Sequence, residues 1–203
     1  ASADWAVWGL VGEVASDAPA AVWDTARHGE GWLVRLPDAA AQVRRYLLLQ
    51  PSAAAAPALP VLTAADWDWL EVESGLAWVK SATVEAFVPQ MLNLELLGGV
   101  NFQKGCYPGQ EVVARSQYRG TIKRRTLLFA LEGSAVVGQE IFHSADAEQP
   151  AGVVAAAATR DGQGMVLAEV KLAALAEGSL HLGAATGPML LPRELPYTIS
   201  APE

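Results

Sequence analysis

The chain has very little cysteine: Cys106 is the only one in 203 residues. A disulfide within the chain is therefore excluded, and a reducing compartment, the cytoplasm, is the expected setting. Long apolar runs are also missing. Pro, Asp or Arg breaks each alanine-rich segment, and a membrane span needs about 18 or more apolar residues in succession. Histidine is scarce. His28, His143 and His181 stand far apart, with no cysteine or glutamate at ligand spacing, so no metal site is expected. A cysteine hydrolase needs a base beside its thiol, and no histidine neighbours Cys106 in sequence. No phosphate-cradling glycine loop or dinucleotide fingerprint occurs. The opening Ala1-Ser2-Ala3-Asp4-Trp5 has neither a basic region nor an apolar core, so no secretory leader is expected. It also has no initiator methionine, so the chain is expected to begin partway through a longer protein.

What is present starts with apolar mass. Hydrophobic residues make up 52% of the chain, enough for a substantial core. The formal net charge of −8 argues against a general nucleic-acid coating protein. The charge is unevenly distributed. Lys104, Arg115, Arg119, Lys123, Arg124 and Arg125 are six of the 14 basic residues, and Glu111 is the only acidic residue among them. Such a patch suits a specific anionic partner. Alternatively, Lys123 to Arg125 blunt a strand edge against aggregation.

Cys106 lies inside that patch, in Lys104-Gly105-Cys106-Tyr107-Pro108-Gly109-Gln110-Glu111. Nearby cations favour a thiolate, and the flanking glycines permit a tight turn that exposes its side chains. The alternative for a free cysteine is burial as a small hydrophobe. The seven tryptophans also read two ways, as core or as flat walls for a heteroaromatic ligand. Trp67 and Trp69 are two apart, so on a helix they point in different directions.

The first fifty residues read as α/β. Strands are expected at 5–11, 21–24 and 32–36, followed by a helix from Pro37-Asp38 with Ala40, Val43, Tyr46 and Leu47 at helical spacing. Residues 51–60 read as a connector. Thr63 caps a short helix through Asp66, Trp67 and Leu70, and Gly75 marks a turn before an extended 76–79. Another helix is expected to start near Thr83 and stop before Pro89. One helical turn or more, from Glu111 to Arg115, backs the cysteine loop and turns its N-terminal amides toward it. Strands at 126–131, 139–142, 152–155, 165–170 and 180–182, separated by Gly or Asp turns, suggest a small β-barrel or sandwich. A boundary near Tyr118 divides the chain into 1–118 and 119–203.

The stretch Phe102-Gln103-Lys104-Gly105-Cys106-Tyr107-Pro108-Gly109-Gln110-Glu111-Val112-Val113-Ala114-Arg115 resembles the signature of the YgfZ family of folate-binding proteins, relatives of the glycine cleavage T protein. Phe87 to Leu94, Gly98-Gly99-Val100, Tyr118-Arg119-Gly120 and Lys123-Arg124 resemble the family as well. The resemblance runs from about Trp67 to Arg125. It implies an α+β fold: a partial folate-binding, T-protein-like α/β module over 1–118, then a small C-terminal β-barrel over 119–203. It implies a tetrahydrofolate-binding accessory protein supporting assembly or repair of iron–sulfur enzymes, linked in bacteria to tRNA methylthiolation. Tetrahydrofolate or a derivative is the implied cofactor, with Trp67 and Glu73 as contacts. Cys106 is the implied functional thiol, Lys104 and Arg115 its cations, and Tyr107, Gln110 and Glu111 the residues that fix its loop. Implied partners are iron–sulfur enzymes such as tRNA methylthiotransferases, with tRNA contact through Arg119, Lys123, Arg124 and Arg125. The alternative is a folate-dependent aminomethyltransferase of the T-protein type. Family members carry a further N-terminal part, so the chain resembles their C-terminal portion.

Overall fold

A computed structural model describes residues 3–118 and 122–199. It is mixed helix and sheet, mostly strands. The first sheet contains β1 (Trp5–Val11), β2 (Thr25–His28), β3 (Gly31–Ala39) and β4 (Val43–Pro51), antiparallel in the order β1-β4-β3-β2. The expected helix after Pro37 is absent. Instead β3 runs on to Ala39, a single 3-10 turn covers Ala40–Gln42, and β4 follows. β4 is an inner strand with apolar side chains on both faces, Tyr46 and Leu48 on one and Leu47 and Leu49 on the other. Such a strand reads as a near-continuous apolar run, from which a helical spacing can be picked by chance. Pro37, which has no N–H to give to a ladder, falls where the β3–β4 register shifts. The expected strand at 21–24 is a turn, and pairing begins at Thr25.

Helix α1 (Ala64–Glu73) begins where the sequence marks it. The Thr63 hydroxyl accepts from the Asp66 backbone N–H at 3.1 Å, and the Asp66 carboxylate accepts from the Thr63 backbone N–H at 3.2 Å. This reciprocal capping box satisfies two donors that the first helical turn leaves free. The expected helix over 83–88 does not form. A 3-10 turn covers Ser81–Thr83, Glu85 has a left-handed φ of 61°, and Val88 is extended before Pro89. The ring of Pro89 disfavours a helical conformation in the residue before it. A third 3-10 turn covers Pro89–Leu92, and α2 covers Gln110–Tyr118.

The second sheet is six-stranded and curled into a half-barrel. It contains β5 (Arg124–Glu132), β6 (Glu140–His143), β7 (Asp146–Arg160), β8 (Gln163–Lys171), β9 (Leu180–Leu182) and β10 (Leu191–Arg193), in the order β10-β5-β8-β7-β6-β9. The Asp161-Gly162 turn between β7 and β8 has positive φ at both residues, the geometry that suits a right-twisted hairpin. Residues 188–190 bond to β9 through Leu182 N–H to Pro188 O and Leu190 N–H to Leu180 O, and the next three residues pair with β5. One short segment therefore links the two edges of the sheet, and those edges are not left as templates for aggregation.

Phe129, Ile141, Val154, Val166, Val170 and Leu182 fill the inside of the curl. Trp69 and Val72 of α1 pack on its other face against Leu128, Ala155 and Leu167. Trp67 points the other way, to the first sheet. A Cβ on Gly9 of β1 would stand 2.6 Å from its ring, so the indole needs a glycine beneath it. α1 thus lies between the two sheets and touches both.

Candidate functional site

The cysteine loop is built from local side-chain-to-backbone bonds. Asn101 Oδ1 accepts from the N–H groups of Gln103 at 2.8 Å and Lys104 at 3.1 Å, the type of bond with which Asn shapes turns. On the far side, Gln110 Oε1 accepts from the Tyr107 N–H at 3.2 Å. The Gln110 N–H donates to the Tyr107 carbonyl at 3.3 Å. Gly109, with φ of 80°, turns the chain into α2. Between these braces Cys106 is exposed.

The cations expected beside the thiol have other partners. Lys104 Nζ lies 4.9 Å from the centroid of the Tyr107 ring, a cation–π contact. Arg115 donates to Glu111 at 2.7 Å, one helical turn away and largely exposed. Among the described residues no hydrogen bond or ion pair joins either cation to the sulfur. α2 is held from behind. Gln90 is fully buried and donates from Nε2 to the Val113 carbonyl at 2.7 Å, and Phe102 meets Tyr118 edge-on at 5.9 Å.

Two arginines of the basic cluster, besides Arg115, are paired with carboxylates. Arg124 binds both carboxylate oxygens of Glu169, and the hydrogen bond to Glu169 holds its guanidinium pKa above the usual arginine value. Arg125 is buried and bonds Glu95. Lys123 is exposed, and Arg119 lies outside the described residues.

Trp67 and Glu73 sit on α1. Trp67 is half-buried, with the Arg45 guanidinium 4.8 Å from its ring centroid. Arg45 is fully buried and donates to Glu71 at 3.2 Å and to the Leu70 carbonyl at 3.3 Å. Burial pulls its pKa down, and Glu71 acts against that pull. Glu73 is half-buried in the last turn of the helix. Among the described residues, no hydrogen bond, ion pair or ring contact connects Trp67 or Glu73 to the cysteine loop.

No family model matches the chain. A stretch of 71 residues is 49% identical to the tRNA-modifying protein YgfZ of Edwardsiella ictaluri, covering 35% of this chain and 21% of that protein. A stretch of 69 residues is 49% identical to the tRNA-modifying protein YgfZ of Klebsiella pneumoniae, covering 34% of this chain and 20% of that protein. The chain therefore matches about a fifth of the length of these curated relatives. The similarity supports the YgfZ family.

Set beside these YgfZ relatives, the described residues contain no group of three His, Cys, Asp or Glu placed to hold a metal ion. They contain no helix long and apolar enough to cross a membrane. Several residues that position the loop escape a sequence reading. Asn101 is one of two asparagines in the chain, but nothing in its spacing names the amides it holds, and Gln90 has no spacing relation to Val113. The Asn93 side chain, fully buried, donates to the Thr126 carbonyl at 2.7 Å. Asn93 itself has a left-handed φ of 57°, and asparagine's tolerance of that conformation is the only hint its type supplies.

Proposed function

We propose that this chain is part of a tetrahydrofolate-binding accessory protein that supports assembly or repair of iron–sulfur enzymes in a tRNA-modification context. Cys106 is its functional thiol. One observation carries the reading: a chain similar to tRNA-modifying YgfZ proteins presents its single cysteine, exposed, on a loop braced from both sides by Asn101 and Gln110. Exposure is what a reacting thiol requires. Residues 1–118 form the C-terminal part of the T-protein-like module, and residues 119–203 form the β-barrel. Trp67 and Glu73 contribute to the folate contact, while Lys104, Tyr107, Gln110, Glu111 and Arg115 shape the thiol's surroundings. One thiol cannot hold an iron–sulfur cluster alone, since clusters take about four thiolate ligands, so the role is exchange or protection beside a client enzyme. The basic patch Arg119, Lys123, Arg124 and Arg125 is the tRNA contact, and with Arg124 and Arg125 paired, Lys123 is its exposed described residue.

The test uses the complete protein in cells that depend on it. Cys106→Ala and Cys106→Ser are expected to impair a client tRNA-methylthiolating enzyme while leaving the protein folded. Full client activity in both variants rejects the role of the thiol. Reduced folate is expected to quench tryptophan fluorescence, and an unresponsive spectrum rejects the folate half of the proposal.

A further inference from the structure

Trp23 has a backbone φ of 71°, in the left-handed region, where a bulky side chain is an outlier. Two hydrogen bonds hold it there. Its backbone N–H donates to the Arg35 carbonyl at 2.8 Å, and its indole Nε1–H donates to the Leu97 carbonyl at 2.5 Å. The ring lies against Gly98, where an added Cβ would meet it at 3.4 Å. Residues strained in this way persist where their surroundings over-determine them, and they concentrate at ligand clamps and active sites.

The indole is one wall of a cavity of about 410 Å³, within the ~300–1,000 Å³ of small-molecule sites. Tyr197 of the C-terminal tail, Leu96 from the segment leading to Cys106, and Asp38 of β3 line it too. Most polar side chains in this lining are occupied. The Trp23 N–H is bonded to Leu97, and the Ser74 hydroxyl donates to the Glu71 carbonyl at 2.7 Å. The Tyr197 hydroxyl donates to the Gly75 carbonyl at 2.9 Å and accepts from Asn93 at 3.2 Å. Asp38 differs. One of its oxygens accepts from the guanidinium of Arg35, which is 4% exposed, and this bond orients the carboxylate. Among the described residues nothing hydrogen-bonds its other oxygen, and Asp38 is 34% exposed. A carboxylate has room for further donors.

We propose that this cavity binds a planar heteroaromatic ring with N–H donors along one edge, packed on Trp23 and Tyr197 and hydrogen-bonded to Asp38. Flat apolar walls favour a flat ring. An ionised acceptor strengthens the bonds to its donors, and the same charge disfavours an anionic ligand. The proposal goes beyond the folate reading and does not rest on it, because none of Trp67, Glu73 and Cys106 lines the cavity.

The probe is 2,4-diaminopyrimidine, titrated into the ¹⁵N-labelled chain, with unsubstituted pyrimidine as the comparator. The diamine is expected to shift the Trp23 indole N–H signal, assigned through Trp23→Phe, and the Gly98 amide signal, both saturably. Pyrimidine shifts neither. Asp38→Asn is expected to weaken binding by about tenfold or more, since it removes charge-assisted hydrogen bonds. That variant also removes the partner of buried Arg35, so a second one guards against misfolding. Val22, 41% exposed at the rim, is changed to Trp, which narrows the cavity without touching the ion pair and is expected to abolish the shifts. The proposal is overturned if millimolar diamine leaves both signals in place, if pyrimidine binds equally well, or if Val22→Trp binds unchanged.

Discussion

Arg125 is 5% exposed, and its Nη1 donates to the Gln90 carbonyl at 2.9 Å, to Asn93 Oδ1 at 3.2 Å and to the Glu95 carboxylate. Glu95 Oε2 is buried with no hydrogen-bond partner among the described residues. This pair ties the segment before the cysteine loop to β5. Breaking a buried pair from one side strands a charge, so Glu95→Leu is expected to destabilise the chain by about 3–5 kcal/mol. Glu95→Leu with Arg125→Met is expected to recover much of that loss, because neither charge then remains to be desolvated. Urea unfolding of the two variants checks this, and a single-variant effect below about 1 kcal/mol is what a solvent-screened pair would give. At this scale the sequence shows where chemistry concentrates but not how charge is spent. The density of Lys and Arg around Cys106 is visible in the chain. That Arg124 bonds Glu169, 45 positions away, is decided by the β5–β8 register, and that Arg125 bonds Glu95, 30 positions away, by the packing of the turn segment after Pro89–Leu92 against β5.

Among the elements, those with their own local signals are legible. α1 starts at Thr63 because Thr and Asp three apart satisfy each other's backbone donors. Thr63→Ala is expected to cost about 1 kcal/mol in thermal or urea unfolding, and Thr63→Ser to restore most of it. The hydrogen bonds from Thr63 hold the Asp66 carboxyl below its usual value. A lowered carboxyl pKa stabilises the fold above its unfolded value, and that contribution is lost as pH falls through the folded value. Thr63→Ala is therefore expected to flatten the acid limb of the stability curve, and an unchanged limb would show that Asp66 gains nothing from the cap. Strands β5 to β9 are legible because turn residues punctuate them. The helix expected after Thr83 fails locally, where Pro89 keeps Val88 extended, but the one expected after Pro37 fails for a reason outside its own segment. Spacing within one segment does not report which neighbours are available, and β4 gains β1 and β3 on its two sides.

For the whole molecule, the C-terminal tail makes the connection that no single segment announces. Leu191–Arg193 closes on β5, and Tyr197 reaches back to Gly75 and Asn93. Burial raises the Tyr197 pKa from 10.0 to about 12. Its contribution to stability is therefore complete below pH 10 and lost as pH rises from there toward about 12, because the unfolded chain releases its proton first. Tyr197→Phe is expected to remove that part of the alkaline loss in a pH series of melting temperatures, and an equally steep loss in the variant counts against it. The sequence by itself determined the capped α1, the loop that displays Cys106 and the turns that punctuate the β-rich tail, because each rests on residues a few positions apart. Only the tertiary structure decided that Arg124 and Arg125 are paired with distant carboxylates, that Trp67 packs on Gly9, and that Trp23, Asp38 and Tyr197 enclose one cavity. Those outcomes join residues far apart in the chain, and sheet pairing and core packing choose such partners where no local preference does.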